Sequence, residues 1–165
     1  MDFHIDTAEA LNITDIEISN LLSQVYVGGG FIDSESAISY FEASKIRARG
    51  KLICAREVQS RQLVGMVIVV FFDSKARRFA QKNETEMHLL GVKSGFRKNG
   101  LGKRLIHAAL KEAKKSSSSK MLLWTQTTMH TAHRLYDSFG FTRVPSMDFA
   151  GNNQDFFVYE KILHA

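Results

Sequence analysis

Hydrophobic positions along this chain change period several times, and each change marks an element. "FHID" (3–6) alternates weakly and predicts an edge strand. In "ITDIEISNLLSQVYVGGG", Ile13, Ile16, Leu21, Leu22 and Val25 can share one helical face, and the glycines at 28–30 stop the helix. "DSESAISYFEASKIRARG" predicts a second helix, capped by Asp33 or Ser34 and ended by Gly50. "KLICARE" and "LVGMVIVVFF" predict strands joined by the polar turn "VQSRQ". The second is apolar and β-branched on both faces, as suits a central strand. Then come "EMHLLGV" as a strand, "LGKRLIHAALKEAKK" as an amphipathic helix and "KMLLWTQ" as a strand. "HTAHRLYDSFGF" predicts a short helix stopped at Gly140, and "NQDFFVYEKIL" a final strand. The resulting order β-α-α-β-β-β-α-β-α-β mixes hairpins with crossovers. It predicts an α/β (α+β) class, neither purely doubly wound nor a sandwich.

Composition sharpens this picture. A chain of 165 residues, 44% hydrophobic and 24% charged, suits one globular domain (1–165) with a sizeable core. "SSSS" (116–119) is short enough to be a loop within that domain. The longest apolar run, "LVGMVIVVFF", falls well below the ~20 residues a bilayer needs. The N-terminal "MDFHIDTAEA" is acidic and lacks the layout of a signal peptide. One cysteine, Cys54, excludes an internal disulfide. The expectation is a soluble, cytoplasmic protein without a membrane partner. The net charge of +5 gathers at 45–51 and 93–120. Such a bias suits a polyanion (nucleic acid, acidic membrane or phosphorylated cofactor) as well as plain solvated helix faces.

The second basic stretch contains "GFRKNGLGKRL". A Walker A loop needs a Ser or Thr after Gly-Lys; Arg104 follows Gly102-Lys103. A Rossmann fingerprint needs a third glycine where Leu105 stands. The pattern that fits is R/Q-x-x-G-x-G/A, read as Arg97, Lys98, Asn99, Gly100, Leu101 and Gly102. It lies between a strand and a helix, where unpaired helix amides point at whatever sits on the N-terminus. Glycines let those amides approach phosphate oxygens, and Lys98, Lys103 and Arg104 add charge. A plain helix-terminal glycine is the competing explanation.

With this turn the chain resembles the GNAT superfamily of acetyl-CoA-dependent N-acetyltransferases. "TTMHTAHRLYDSFGF" resembles that family's second signature, N-x-x-A-x-x-L-Y-x-x-x-G-F, at Ala132, Leu135, Tyr136, Gly140 and Phe141. Met129 stands where the family often has Asn, which removes a side-chain bond to the cofactor. The resemblance covers nearly the whole chain. It implies a mixed, strongly twisted central sheet flanked by helices. It also implies acetyl-CoA as co-substrate, with Leu90, Gly91 and Val92 offering backbone groups to the pantetheine arm. Arg97, Lys98, Asn99, Gly100, Leu101, Gly102 and Lys103 would hold the pyrophosphate, and Met129 and Ala132 would line the cofactor site.

The chemistry so implied is direct transfer to a primary amine in a ternary complex. Glu86, through water, is the first candidate base and His88 the second; a salt bridge and a half-buried side chain are the structural alternatives. Amides near Leu90 to Val92 would stabilise charge on the thioester oxygen. Tyr136 would protonate the departing thiolate, unless it only packs in the core. The acceptor, a small-molecule or peptide amine, is expected beside "VGGGFIDSESA", with Phe31, Asp33 and Glu35 as contacts. "RVPSMDFAGNNQDFF" would form the opposite wall, with Asp148 and Asp155 available. His130 and His133 lack a third ligand, so no metal is expected. Two rivals stand beside the enzyme: a GNAT fold that binds acyl-CoA without catalysis, and a basic nucleic-acid-binding module. The second is disfavoured because the aromatics sit in apolar strands, not among the basic clusters, so no specific nucleic-acid partner is expected. A monomer or a homodimer is compatible with the sequence.

Overall fold

The computed structural model describes residues 1–164; Ala165, the end of the expected domain, lies outside them. The chain runs β1 (Phe3–Thr7), α1 (Asp15–Tyr26), α2 (Ser34–Tyr40), α3 (Ala43–Arg49), β2 (Lys51–Glu57), β3 (Leu63–Phe71) and β4 (Glu84–Val92). It continues with α4 (Leu101–Lys115), β5 (Lys120–Gln126), α5 (His130–Ser138), β6 (Thr142–Arg143), β7 (Phe149–Gly151) and β8 (Gln154–Ile162). Single 3₁₀ turns occupy Ser94–Phe96 and Pro145–Met147. The strands form one sheet in the order β1-β2-β3-β4-β5-β8-β6, with β7 also on β8. β4 and β5 are parallel, and the other pairs are antiparallel.

β3 is central, as its continuous apolar run demands: residues 63–70 are all buried. Its alternation feeds two cores. Val67 and Val69 join Leu105, Ile106 and Ala109 of α4 on one face. Ile68 and Val70 join Leu21 and Leu22 of α1 and Ile46 of α3 on the other. Helices cover both faces because neither could be left to water. Local signals agree with these placements. Thr14 and Glu17 form a reciprocal capping box at the start of α1.

The structure departs from the sequence pattern in three places. The second helix is two helices, α2 and α3. Phe41 turns into the core at their junction, and Ser19 donates its hydroxyl hydrogen to the Phe41 carbonyl at 2.7 Å. Periodicity cannot show this, because both halves carry a helical pattern and only the tertiary partner breaks it. Ile16 is 69% exposed, and Ile18 fills the core position instead. Before the last strand, the chain makes two further short strands. Asn152 and Asn153, both at positive φ (49° and 60°), turn β7 back onto β8.

Phe41 therefore holds the α2–α3 joint and also walls the cavity described below. Phe41→Ala is expected to cost about 3–5 kcal/mol of stability, the usual price of emptying a buried aromatic site. Urea denaturation gives the value, and a loss under ~1 kcal/mol would show that the joint packs loosely.

Candidate active site

The site begins with a fault in the sheet. On β3, Met66 pairs with Gly91 and Ile68 with His88, so Leu89 and Leu90 together oppose the single residue Val67. Leu89 adopts φ 51°, a left-handed backbone rare for a branched side chain. This bulge bends β4 away from β5. Their parallel ladder runs only from Glu84↔Lys120 to Met87↔Leu123. Beyond it β5 stays with β8, and the two strands part.

A cavity of about 620 Å³ occupies the opening, between residues 87–90 of β4 and 124–126 of β5. Tyr26, Phe31, Tyr40, Phe41, Trp124 and Phe156 give it an aromatic wall. Gln126 and Gln154 donate side-chain N–H groups to the Phe31 carbonyl, at 3.0 and 2.6 Å. These bonds tie the α1–α2 connection to the far side of the cleft. The Tyr26 hydroxyl donates to the Leu90 carbonyl at 3.1 Å.

Three charged or titratable groups form a chain at the cavity wall. His88 lines the cavity, and its Nε2 lies 3.0 Å from Glu86 Oε1. Its Nδ1 lies 3.1 Å from Nη1 of Arg49. Arg49 has only N–H donors, so His88 must accept at Nδ1 and donate from Nε2 to Glu86. Desolvation, with the neighbouring Arg49, outweighs Glu86 and depresses the His88 pKa, which keeps the ring neutral at pH 7. The Trp124 ring meets His88 edge-on at 4.5 Å.

Glu86 is fully buried and does not line the cavity. Its two oxygens accept from the amides of Arg78, Phe79 and Ala80 at 2.8–3.1 Å, besides His88. Burial alone would raise its pKa. The bonds from His88 and from the Phe79, Arg78 and Ala80 amides outweigh that and hold it below the usual carboxylate range. Glu86 thus folds the 78–80 segment onto β4.

The glycine turn presents donors. Gly100 caps α4 at φ 73°, where a side chain would be strained, and Lys98 has φ 64°. Among the described residues, the amides of Lys98, Asn99, Gly100, Leu101, Gly102 and Lys103 have no protein acceptor. Asn99 braces the turn by donating to the Phe96 and Arg97 carbonyls. Arg97 donates to the Val92 carbonyl at 3.0 Å. Arg104 is committed elsewhere, to the carbonyl and ring of Phe3. Gly102 has a second reason to be small, since a Cβ there would meet Leu135 of α5 at 3.2 Å.

Tyr136 and Ala132 of α5 and Met129 at its start line the same cavity as His88. Burial pushes the Tyr136 hydroxyl pKa up, so it is a protonated donor at neutral pH. Met129 gives α5 no side-chain cap; its sulfur instead accepts from the Thr125 hydroxyl at 3.6 Å. His133 donates from Nε2 to the Gln126 carbonyl and packs against Phe157 and Tyr159. No group of three metal-ligating side chains converges among the described residues.

The substrate-side residues divide. Phe31 and Asp33 line the cavity, whereas Glu35 is exposed outside it. The Asp33 carboxylate caps α2 by accepting from Ser36 at 2.8 Å (N) and 2.7 Å (Oγ). On the opposite wall Asn152, Asn153 and Gln154 face the cavity, but Asp148 and Asp155 do not. Asp148 instead pairs with Arg143 and accepts from the Val158 amide. Cys54 lies in the other core, and burial followed by nearby Glu9 pushes its thiol up to about 12. Arg49 and Tyr26 carried no signal in the sequence. Arg49 reads there as one more cation of a solvated basic cluster.

A profile of the Acetyltransferase (GNAT) family matches residues 17–141, well over half of the chain. The chain belongs to this family. No curated protein matches it in sequence. Solved structures share the fold at low identity. A GNAT-family acetyltransferase from Staphylococcus aureus Mu50 has a TM-score of 0.75 at 17% identity, over 99% of this chain and 100% of the other. A Bacillus subtilis acetyltransferase in complex with CoA gives 0.69 at 19%, over 99% and 100%. The PaiA N-acetyltransferase of Thermoplasma acidophilum, in complex with coenzyme A, gives 0.69 at 17%, also over 99% and 100%. Among the described residues no helix is long and apolar enough to cross a membrane.

The Glu86 network makes a stability prediction. Gln keeps the shape but turns a strong acceptor pair into one acceptor and a donor aimed at amides. Glu86→Gln is expected to cost about 1.5–3 kcal/mol at pH 7, the range for hydrogen bonds to a charged group. Because the folded pKa is depressed, the wild-type advantage is full above the unfolded value of about 4.3. It is lost as pH falls through the lower folded value. Thermal melts of both proteins between pH 7 and pH 3 check this, and a gap that does not narrow towards acid would contradict it.

Proposed function

We propose that the protein is an N-acetyltransferase that moves the acetyl group of acetyl-CoA to a primary amine by direct attack in a ternary complex. The observation that carries this reading is the joint placement of three features. The split between β4 and β5 opens the cavity that Tyr136 lines, and the turn with unpaired amides packs through Gly102 against Leu135 of the same helix as Tyr136. The named relatives in complex with CoA support a CoA ligand for it.

In this reading the pyrophosphate sits on the amides of residues 98–103, where unpaired donors and the α4 dipole favour an anion. The pantetheine arm runs along Leu90, Gly91 and Val92 towards Met129 and Ala132. Strand amides there meet the charge that develops on the thioester oxygen. The acceptor amine enters from the aromatic side of the cavity. It loses a proton, attacks the acetyl carbon, and the C–S bond breaks. Tyr136 gives its hydroxyl proton to the departing sulfur and is reprotonated from solvent.

The amine's proton goes to His88, the member of the His88–Glu86 pair that faces the cavity. Glu86 acts behind it, holding the ring's tautomer and stabilising the imidazolium. The roles first expected of these two residues are thus exchanged, because both Glu86 oxygens are already filled by donors. His88 Nδ1 is free to take that proton only when the Arg49 N–H donates elsewhere.

Two measurements test the reading. Gly102→Val puts a branched side chain over the unpaired amides, and the flexible end of Leu135 can yield to it. CoA affinity by calorimetry is expected to be lost with little change in melting temperature; unchanged affinity would remove the turn from the site. Wild-type protein at 100 times the dissociation constant of CoA should gain ~2.7 kcal/mol of stability.

Tyr136→Phe keeps the ring and removes the donor. Steady-state thiol release with an accepted amine is expected to show kcat lower by roughly 10²–10⁴-fold, with KM for acetyl-CoA little changed. Equal kcat would make water the proton donor and Tyr136 a packing residue.

A further inference from the structure

We propose that the acceptor is a small amine that also carries a carboxylate, on an apolar or aromatic body, and that Arg49 binds that carboxylate. This rests on the acetyltransferase reading and specifies its substrate class.

The first observation is an uncompensated cation. Arg49 reaches the cavity from the end of α3 and is partly desolvated there, which pulls its pKa down from the usual value. Among the described residues no carboxylate stands against it. Its neighbours are His88, Tyr26 and Tyr40, the last with its ring 5.9 Å from the guanidinium carbon. The other charged or titratable groups lining the cavity are Asp33 and Tyr136. Asp33 is exposed, and its carboxylate is used in capping α2. A partly buried guanidinium without a counter-charge is costly unless a ligand supplies one. Beyond the N–H on His88 and the contact with the Tyr40 side chain, the guanidinium keeps donors for a planar, bidentate pair with a carboxylate.

The second observation is the masked base. The Nδ1 lone pair of His88 is occupied by the Arg49 N–H. A carboxylate that draws the guanidinium towards itself uncovers Nδ1 beside the amine that must lose a proton. A neutral amine leaves Arg49 on His88, and a polycation meets an unopposed positive charge. The same contact therefore selects the acceptor and frees the base.

The third observation concerns size and walls. The cavity of about 620 Å³ must also admit the acetyl end of the co-substrate, which limits the acceptor to small-molecule scale. Its aromatic wall of Tyr26, Phe31, Tyr40, Trp124 and Phe156 suits an apolar or aromatic body. Asn152, Asn153 and Gln154 add neutral polar groups and no charge.

Matched pairs that differ only at the carboxylate provide the test: phenylalanine against phenylalaninamide, and leucine against leucinamide. Spermidine serves as the polycation. With wild-type protein and acetyl-CoA, kcat/KM for each amino acid is expected to exceed that for its amide by about 10- to 100-fold, and spermidine to be poorest. Arg49→Met should bring each ratio close to one, and Arg49→Lys should restore part of it. Binding is measured in parallel, as the thermal shift of the CoA-saturated protein with N-acetylphenylalanine and with N-acetylphenylalaninamide. Wild type should favour the acid and Arg49→Met should not. Turnover of amides or spermidine at least as fast as the acids would overturn the carboxylate assignment while leaving the acetyltransferase reading intact. If no amine is acetylated, the transferase reading fails, and the thermal shifts still decide whether Arg49 holds a carboxylate. Equal shifts for acid and amide would mean that it does not.

Discussion

Everything functional in this molecule depends on β4 leaving β5 while staying bonded to β3. A parallel pair that continued past Met87 and Leu123 would close the sheet and leave no cleft. The fault is built into the backbone: two residues of β4 oppose one of β3, and Leu89 takes a left-handed conformation to achieve it. A bulge of this kind costs pairing and strain, so the flanking structure must hold it. Here the flanks are strong. β3 is buried along nearly its whole length, and β5 is anchored by its full ladder with β8.

A buried carboxylate secures the same region from behind. Glu86 lies without solvent in the last paired stretch of β4, where an unpaired charge could not persist. Three successive amides of the 78–80 segment and the His88 ring satisfy it. That arrangement fixes the tautomer of His88, and through His88 it reaches Arg49. A long β3–β4 connection, a strand and the last turn of α3 are thus joined by one line of hydrogen bonds that ends at the cavity. The negative end is buried and satisfied; the positive end faces the cavity with no carboxylate against it among the described residues.

At the start of α4 the chain uses backbone instead of side chains. Lys98 and Gly100, both at positive φ, turn six successive amides out of the protein's own bonding. Gly102 lets α4 approach Leu135 of α5, so the glycine turn and the Tyr136 helix are packed as one unit. The basic residues nearby are less uniform in purpose than their clustering suggests. Arg97 folds back on Val92 and Arg104 on Phe3, where they tie the turn to the sheet.

The elements and the glycine turn were legible in the sequence because local rules govern them. Apolar period sets α4 and β5, whose bounds at 101–115 and 120–126 follow the pattern to the residue, and the central place of β3 follows from its two-faced run. The turn is legible because left-handed backbone and close approach both require glycine, and the Tyr136 helix because its residues recur at fixed spacing. Partnership was not legible. The sequence marks Glu86 and His88 as neighbours on one strand face. It cannot say that the amides of residues 78–80 will fill the carboxylate, since these donors come from an irregular segment without a period. It marks Arg49 as one cation in a basic run, since exposure and counter-charges are properties of the assembled surface. The break at Phe41 and the outward turn of Ile16 belong to the same class, because helical spacing is satisfied either way and packing alone chooses. Local periodicity and backbone sterics thus wrote the framework and the turn into the chain. Which groups are paired, which are buried and which face the cleft was decided only when distant segments met.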